Sequence, residues 1–428
     1  MTTAAPEVLT DEAGRPIAAA HGVWKAPVLF GLFALAMAAI LFFKPADGDT
    51  TFRLASSTDF VQLPEVTVPA NGAGWVVTVL LVLATAASAS FAARRHRTPI
   101  WLVAVYGVLA MVGFLAWSVA GHTLPVVGLL AGALALAVPL VFGALGGVLG
   151  ERSGVVNIAI DGQLLFGAFG AALVGSLTGS PWVAILAAAF AGGLVALILG
   201  VFAITYFVDQ VIVGVVLNVL VVGFTSFMFS QVLAPNAADL NSPPHLKAWP
   251  IPLLGDIPLV GPILFRQTAL VYLLYIAVAA VTWSLYRTRW GLRVRAVGEH
   301  PQAADTVGIK VNRTRYRTIL LAGLIAGAGG ATYTLVSVSQ FNREMTGGGG
   351  YIALAAVIFG KWDPIRATLA ALLFGFATNL QNVLSVLGAP VPSQFMLMLP
   401  YLVTIFAVAG VVGRSRPPAA DGIAYRTG

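Results

Sequence analysis

The sequence predicts an all-α polytopic membrane protein with about 11–12 transmembrane helices and both chain ends cytoplasmic. Three observations predict it. The 428 residues are 58% hydrophobic and only 10% charged, against roughly 25% charged in a soluble domain. Apolar runs close to or beyond 18 residues recur along the chain, long enough for a helix to cross about 30 Å of hydrocarbon. The net charge of +7 comes from Lys and Arg between those runs, where it reports orientation and contact with anionic lipid rather than nucleic-acid binding. The absence of cysteine excludes disulfides, thiolate metal sites and a cysteine nucleophile.

Residues 1–25 are polar, with Glu7, Asp11, Glu12, Arg15 and Lys25, and read as a cytoplasmic tail. The run 26–43 is long for a signal-peptide core and lacks a small-residue cleavage site, so it is an anchored span. Residues 44–74 carry Asp47, Asp49, Asp59 and Glu65 and suit the outer face. The second span, 75–93, ends on Arg94, Arg95, His96 and Arg97, an inside mark. The third, 99–120, returns outward and completes an N-terminal three-helix extension over residues 26–120.

The fourth span, 126–149, is rich in small residues. Gly143/Gly147 and Gly146/Gly150 are spaced for close helix packing, and Pro139 offers a kink. An inside turn over 150–154 leads to spans 155–177 and 182–202, an inside turn near Asp209, and span 211–233. Residues 236–266 contain Pro243, Pro244, Pro250, Pro252, Gly255, Pro258, Gly261 and Pro262. That segment is too broken to span and reads as an ordered outer loop with room for a short interfacial helix. Spans 269–286 and 318–338 follow, the latter with the pair Gly323/Gly327. The polar stretch 340–350 ends in four glycines and opens onto an apolar run, 351–360. Ten helical residues rise about 15 Å, half a bilayer. The run is either a half-helix or the start of a tilted span ending at Lys361-Trp362-Asp363-Pro364. Spans 367–387 and 395–412 complete the set, and Arg414 and Arg416 place the tail 414–428 inside. Counting 351–360 as a crossing gives twelve, in parity with both ends inside; a re-entrant reading breaks that parity.

Residues 287–317 form the one long charged segment between apolar runs. Arg287, Arg289, Arg293, Arg295, Lys310, Arg313, Arg315 and Arg317 stand against Glu299 and Asp305, which holds this loop in the cytoplasm. Pro301 suits a first helical position and Gly308 a left-handed residue past the last turn, so the middle reads as a helix of about two turns. A helix that short is marginal in water and needs something to dock against. The loop is either a solvated topology mark or a docking helix for a cytoplasmic partner.

Polar residues inside the spans are few. Asn157 and Asp161 sit four apart, on one helical face of the fifth span, with Gln163 on another side. A carboxylate there costs several kcal/mol unless paired or wetted, so Asp161 either braces a neighbouring helix or lines the path. Gly214 and Asn218 share a face of the seventh span; Gly375, Asn379 and Asn382 share a face of the eleventh. Each amide can be interhelical glue. Together, amides on several helices with almost no buried charge suit a path for a neutral polar solute. No phosphate-binding loop is present: around Gly360-Lys361-Trp362, Ala355 replaces the first glycine and Trp362 the hydroxyl residue. His21, His96, His122, His245 and His300 form no ligand cluster. These features point away from an enzyme, and the near-isolation of Asp161 weakens an ion-coupled carrier; an ion-coupled secondary transporter or a channel acting alone is the alternative reading.

Two motifs carry a family resemblance. Gly150-Glu151-Arg152-Ser153-Gly154-Val155-Val156-Asn157-Ile158 followed by Asp161-Gly162 resembles the signature of ABC-transporter permeases for nucleosides and simple sugars, of the branched-chain-amino-acid type. In that family the acidic residue is often Glu where Asp161 stands here. The segment Trp290 to Pro301, with Ala303-Ala304-Asp305 and Gly308, looks like the family's cytoplasmic coupling loop. Val213-Gly214 through Leu217-Asn218 and Gly350-Tyr351-Ile352-Ala353-Leu354-Ala355-Ala356 also fit. The resemblance covers about residues 125–413 and implies a permease core over 121–413; residues 1–120 lie beyond it.

The resemblance implies an importer permease in a bacterial cell membrane that moves a nucleoside or simple sugar. Its implied partners are a second permease subunit, ATP-binding-cassette ATPase subunits, an extracytoplasmic solute-binding lipoprotein and membrane lipids, with no nucleic-acid polymer. ATP and Mg would sit on the partner ATPase, with no cofactor in this chain. The ATPase-coupling residues would be Arg295, Gly298, Glu299, Pro301, Ala304, Asp305 and Gly308. The path residues would be Asn157, Asp161, Asn218, Asn379 and Asn382.

Overall fold

The computed structural model describes residues 24–56, 59, 61–389, 394, 398 and 416–426. Apart from Met398, the span expected over 395–412 lies outside the described residues, as do the tail before Trp24 and Arg414. Among those described, the chain is mostly helical, and 10 helices are long and apolar enough to cross a membrane. It divides into two compact units, residues 1–57, 62–126 and 382–396, and residues 58–61, 127–381 and 397–428.

The first unit contains α1 (Lys25–Phe43), α2 (Ala70–Ala93) and α3 (Ile100–Ser118). The rings of Phe30 and Tyr106 stack at 3.8 Å, and the Tyr106 hydroxyl donates to the Phe30 carbonyl at 2.6 Å. The unit is not purely helical. Strands β1 (Asp49–Arg53), β2 (Val66–Pro69) and β3 (Thr123–Pro125) form a sheet in the order β2-β1-β3, with β1 and β3 parallel. Strands this short carry too little alternation to register in a sequence window, and β3 pairs with a segment two helices away.

The second unit opens on α4 (Val126–Arg152), a helix that runs through Pro139 and is buried over its second half. Next come α5 (Ile160–Thr178), α6 (Pro181–Gly200) with a π-helical turn at Val201–Thr205, and α7 (Gln210–Met228) with another at Phe229–Leu233. The proline-rich outer segment holds only a one-turn α8 (Ala237–Leu240) and an antiparallel pair, β4 (Ala248–Pro250) and β5 (Arg266–Thr268). The remaining helices are α9 (Ala269–Arg287), α10 (Arg289–Glu299), α11 (Pro301–Thr306), α12 (Val311–Thr332) with a π-helical turn at Tyr333–Ser337, α13 (Gly349–Phe359) and α14 (Pro364–Val386).

Glycine sets the packing of this unit. A Cβ on Gly327 of α12 would strike the Ala188 carbonyl of α6, one on Gly192 of α6 the Gly323 carbonyl, and one on Gly330 the Leu164 carbonyl of α5. Backbone lies directly on backbone where these three helices cross, the use of small residues expected of helices in lipid. Gly143 and Gly147 of α4 leave room for Ala353 and Val357 of α13 in the same way.

Three expectations need correction. Residues 287–317 are not an open loop: α10 and α11 are helices, and α12 begins at Val311, taking Asn312 to Arg317 into a membrane-length helix. The basic face of that turn hides its helicity from a hydropathy reading. The fifth span begins at Ile160, not 155. Gly154 at φ +83 breaks the chain, the Val155 N–H turns back to the Gly150 carbonyl at 3.1 Å, and Asn157 lies outside the helix. Asn157 and Asp161 therefore do not share a helical face, and Gln163, read as pointing elsewhere, is the partner of Asn157.

Candidate functional site

α13 starts in an unusual place. Gly347 and Gly348 take φ +54 and +79, conformations that cost glycine least, and the helix begins at once after them. Its 11 residues rise about 16 Å. No side chain of its own segment caps it; Asp161 does. One carboxylate oxygen accepts the Gly350 N–H at 2.8 Å and the other the Thr346 hydroxyl at 3.3 Å. Gly350 packs so closely on the Asp161 backbone that a Cβ would overlap it. Asp161, only 7% exposed, also sits in the first turn of α5, so the one carboxylate faces the positive ends of two helices.

Asn218 of α7 completes the junction. Its Oδ1 accepts the Gly162 N–H at 2.8 Å, and its Nδ2 donates to the Ile158 carbonyl at 2.9 Å and the Tyr351 hydroxyl at 3.1 Å. Asn157 and Gln163, both fully buried, exchange two amide hydrogen bonds at 3.0 and 3.1 Å. Three of the five expected path residues thus meet here, and each is engaged with this chain's own groups. Asn379 is elsewhere. It donates to the Leu129 carbonyl at 2.8 Å, fourteen residues and about 21 Å along α4 from Gly143, which touches Ile160 and Ala353. Asn382 belongs to the first unit and is exposed.

An aromatic row borders this junction. Phe166 and Phe169 lie one to two turns along α5 from Asp161, with Phe224 of α7 edge-on to both at 5.8 and 6.2 Å. Phe341 packs on Phe169 and Phe229, and the Arg343 guanidinium lies over the Phe229 ring at 5.4 Å. Tyr351, 48% exposed, and Phe224, 42% exposed, offer open ring surface. Amides drew attention in the sequence; these rings did not, because aromatic residues are routine in apolar spans.

The second cluster is built on α10 and α11. Thr288 caps α10 by accepting the Gly291 N–H at 3.1 Å. Pro301 opens α11, and Gly308 follows it at φ +84, as the sequence anticipates. The floor of α11 is this chain itself: Ala304 packs with Val297, Val311 and Tyr425. Of the seven expected coupling residues, Gly298, Pro301 and Ala304 are buried, whereas Glu299, Asp305 and Gly308 are exposed. The Arg295 guanidinium lies over the Tyr286 ring at 5.3 Å. The outward face of α11 adds Gln302, Ala303, Thr306 and Val307; Val307 is 74% exposed. The two-turn helix expected from the sequence includes these four, but the coupling set does not, because outward direction depends on what lies beneath.

The two clusters are physically joined. Gly298 seats against the Arg152 carbonyl at the end of α4, with no space for a Cβ. The Arg152 side chain donates to the Trp362 carbonyl at 2.8 Å, and the Trp362 indole N–H donates to the buried Glu151 carboxylate. The Tyr286 hydroxyl donates to Asp363 at 3.0 Å. Lys361 and Trp362 take φ +54 and +55 in the turn that ends α13, and the other end of α13 is held by Asp161.

Residues 416–426 return to the same place. Asp421 lies near the Arg315 guanidinium and the Glu151 carboxylate. Burial pushes the Asp421 carboxyl up to about 7, against the opposing pull of the Gly422 N–H and Arg315. A detached segment would have an ordinary Asp value near 4. Between about pH 4 and 7 the docked form therefore keeps a proton that the detached form has lost. Docking should be firmest at the acid end, weaken as pH rises through that window, and level off above about 7. Hydrogen exchange at Ala420 and Ile423, corrected for intrinsic rate, should show this trend, and Asp421→Asn should flatten it. A pH-independent wild type would rule it out.

The sequence profile described as "Branched-chain amino acid transport system / permease component" matches residues 129–408. The guanosine ABC transporter permease protein NupQ of Bacillus subtilis is 43% identical over 304 residues, spanning 69% of this chain and 95% of that one. The nucleoside ABC transporter permease protein NupC of Lactococcus lactis is 39% identical over 308 residues, spanning 69% and 96%. A putative glucose ABC transporter permease protein of Haloferax volcanii, TsgC13, is 36% identical over 258 residues, spanning 59% and 77%. No solved structure matches.

Proposed function

This chain belongs to the family of branched-chain amino acid transport system permease components, and on that premise we propose that it is the transmembrane subunit of an ATP-binding-cassette importer for nucleosides. It is a multi-pass protein of the bacterial plasma membrane. In this reading a second permease subunit pairs with it, two ATPase subunits dock on the coupling helices of the pair, α11 in this chain, and a solute-binding lipoprotein delivers the cargo from outside. The basic segment around α10 and α11 faces the cytoplasm, and both chain ends lie there. The relatives named above support the pairing and the cargo class, since guanosine and nucleoside permeases NupP and NupB also match this chain at 24% and 26% identity.

The observation that carries the reading is the continuous contact from handle to junction. A push on α11 reaches Gly298, then the Arg152 carbonyl, then the Trp362 turn held by Arg152 and Glu151, then α13 as a rigid rod, then Asp161 and Asn218. Packed elements of this kind shift as bodies rather than deform. The outward face of α11, Gln302, Ala303, Thr306 and Val307, is where the ATPase grips. The test is Ala304→Pro, which removes the Ala304 N–H bond to the His300 carbonyl, beside Glu299→Gln. Ala304→Pro should strip the ATPase from the purified complex and abolish uptake; Glu299→Gln should weaken both. Full retention of ATPase and uptake in Ala304→Pro would remove this assignment, as would accumulation of solute against a gradient by the chain alone in vesicles.

The aromatic row favours a nucleoside over a sugar. A base stacks on an open ring face, and each such contact is worth about 1–3 kcal/mol. Phe224→Ala should raise the KM for nucleoside uptake on the order of 5- to 100-fold while leaving ATPase assembly intact. An unchanged KM would take Phe224 out of the path.

A further inference from the structure

We infer that residues 417–426 are a coupling strap, binding the α10–α11 handle, the turn after α4 and the start of α12 into one moving body. The inference rests on the coupling reading above and extends it to a segment outside the matched permease core.

The strap touches each of those elements through named atoms. The Ala420 N–H donates to the Gly298 carbonyl at 2.9 Å, and the Ala419 N–H donates to Glu299 at 3.2 Å. On α12, Arg315 donates to the Ile423 carbonyl at 2.8 Å. Arg315 is 1% exposed, so the strap closes over a buried cation. At the turn after α4, Gly154 faces the Ala420 carbonyl and Gly422 faces Val156. Tyr425 is inserted against Val297, Ala304 and Val311, with its hydroxyl near the Asp305 carboxylate of α11. Arg426 lies over the Phe207 ring at 5.0 Å, in the connection between α6 and α7.

A segment without regular structure stays ordered only where bonds and burial repay its lost entropy. This one makes main-chain bonds to two separate elements and buries an aromatic ring. Its position also answers a mechanical need. α11 has six residues and cannot resist tilting by its own backbone bonds. Val297 and Val311 support it from below, and Tyr425 supports it from a third element. With Tyr425 in place, a load on α11 moves α4 and α12 together. Without it, the same load tips α11 about Pro301. Tyr425 and Arg315 are therefore positioning residues, acting through the handle rather than on the solute.

The test uses the assembled transporter in proteoliposomes, reading nucleoside uptake per ATP hydrolysed. Tyr425→Ala, and a chain ended after Pro417, should keep the ATPase bound while uptake per ATP falls by at least about tenfold, within the usual range of coupling between sites. Tyr425→Phe, which keeps the ring, should retain most of it. The chain has no cysteine, so Glu299→Cys with Ala419→Cys gives a single tether of strap to handle. Because Glu299→Cys by itself lowers uptake, the comparison is with the reduced double variant: oxidising the tether should leave uptake per ATP where it stands in the reduced protein, since the two parts travel together. Unchanged uptake per ATP in the shortened chain would overturn the strap. So would a tether that stops transport until reduced, which would make the segment a latch that must open. Absence of the ATPase from the unmodified complex would instead fail the transporter reading and is distinguishable from either.

Discussion

Gly327→Leu should leave almost no folded protein in the membrane. The α6–α12 crossing has the two backbones in direct contact: beside the Ala188 carbonyl, a Cβ at Gly327 would lie 2.8 Å from both Cα and N of Gly192. Backbone cannot swing aside as a flexible side-chain tip can. Overpacking a tight core costs about 1–3 kcal/mol, occasionally more. Here four added carbons must separate two helices that also hold α5 through Gly330 and Gly167. Lipid offers no compensating drive to push the helices back together, because tails are as apolar as leucine. Membrane yield and the monodisperse fraction in detergent should fall well over tenfold in Gly327→Leu. Leu321→Phe, on an exposed part of the same helix, should match wild type. A normal, monodisperse Gly327→Leu with an unchanged Tm would show that the helices do not touch as described.

Asp161→Leu should fold but fail to transport. The substitution leaves the Gly350 N–H and Thr346 hydroxyl buried without their acceptor. Each orphaned group costs about 1–3 kcal/mol, and the favourable meeting of a carboxylate with two helix N-termini is lost as well. The first turn of α13 then unwinds, and the link from handle to junction ends in a loose segment. Uptake should drop on the order of 100-fold with the ATPase still bound. Asp161→Asn keeps an acceptor for Gly350 and should recover a substantial part of that loss. The contrast between the two variants matters more than either alone. A carboxylate that carried a coupling proton would make Asn as inactive as Leu, so equal inactivity would replace the cap with an ion-coupled role.

Particular residues show where sequence reading stops. Pro301 and Gly308 bound α11 correctly, because capping chemistry is written into adjacent residues. Gly143/Gly147 and Gly323/Gly327 flagged close packing, because small residues four apart have few other uses in a span. Asn157 and Asp161 were wrongly placed on one helix: Gly154 permits a turn, but only its surroundings decide that it makes one. The shift of α12 from 318 to 311 has the same origin. Asn312 to Arg317 are too polar to look membranous, yet Arg315 is buried under residues far along the chain.

The sequence by itself determined that the chain crosses a membrane repeatedly, roughly where, and which family it resembles. Hydrophobic length, capping and motif spacing are one-dimensional properties, readable within a window of twenty residues. The tertiary structure alone decided that Asp161 caps α13 across a separation of 189 residues. It alone decided that Arg152 grips a turn 210 residues away, and that Tyr425 packs on Val297, Ala304 and Val311. A hydrogen bond between distant segments depends on how whole helices cross, and that crossing is set by backbone contacts that no local pattern encodes.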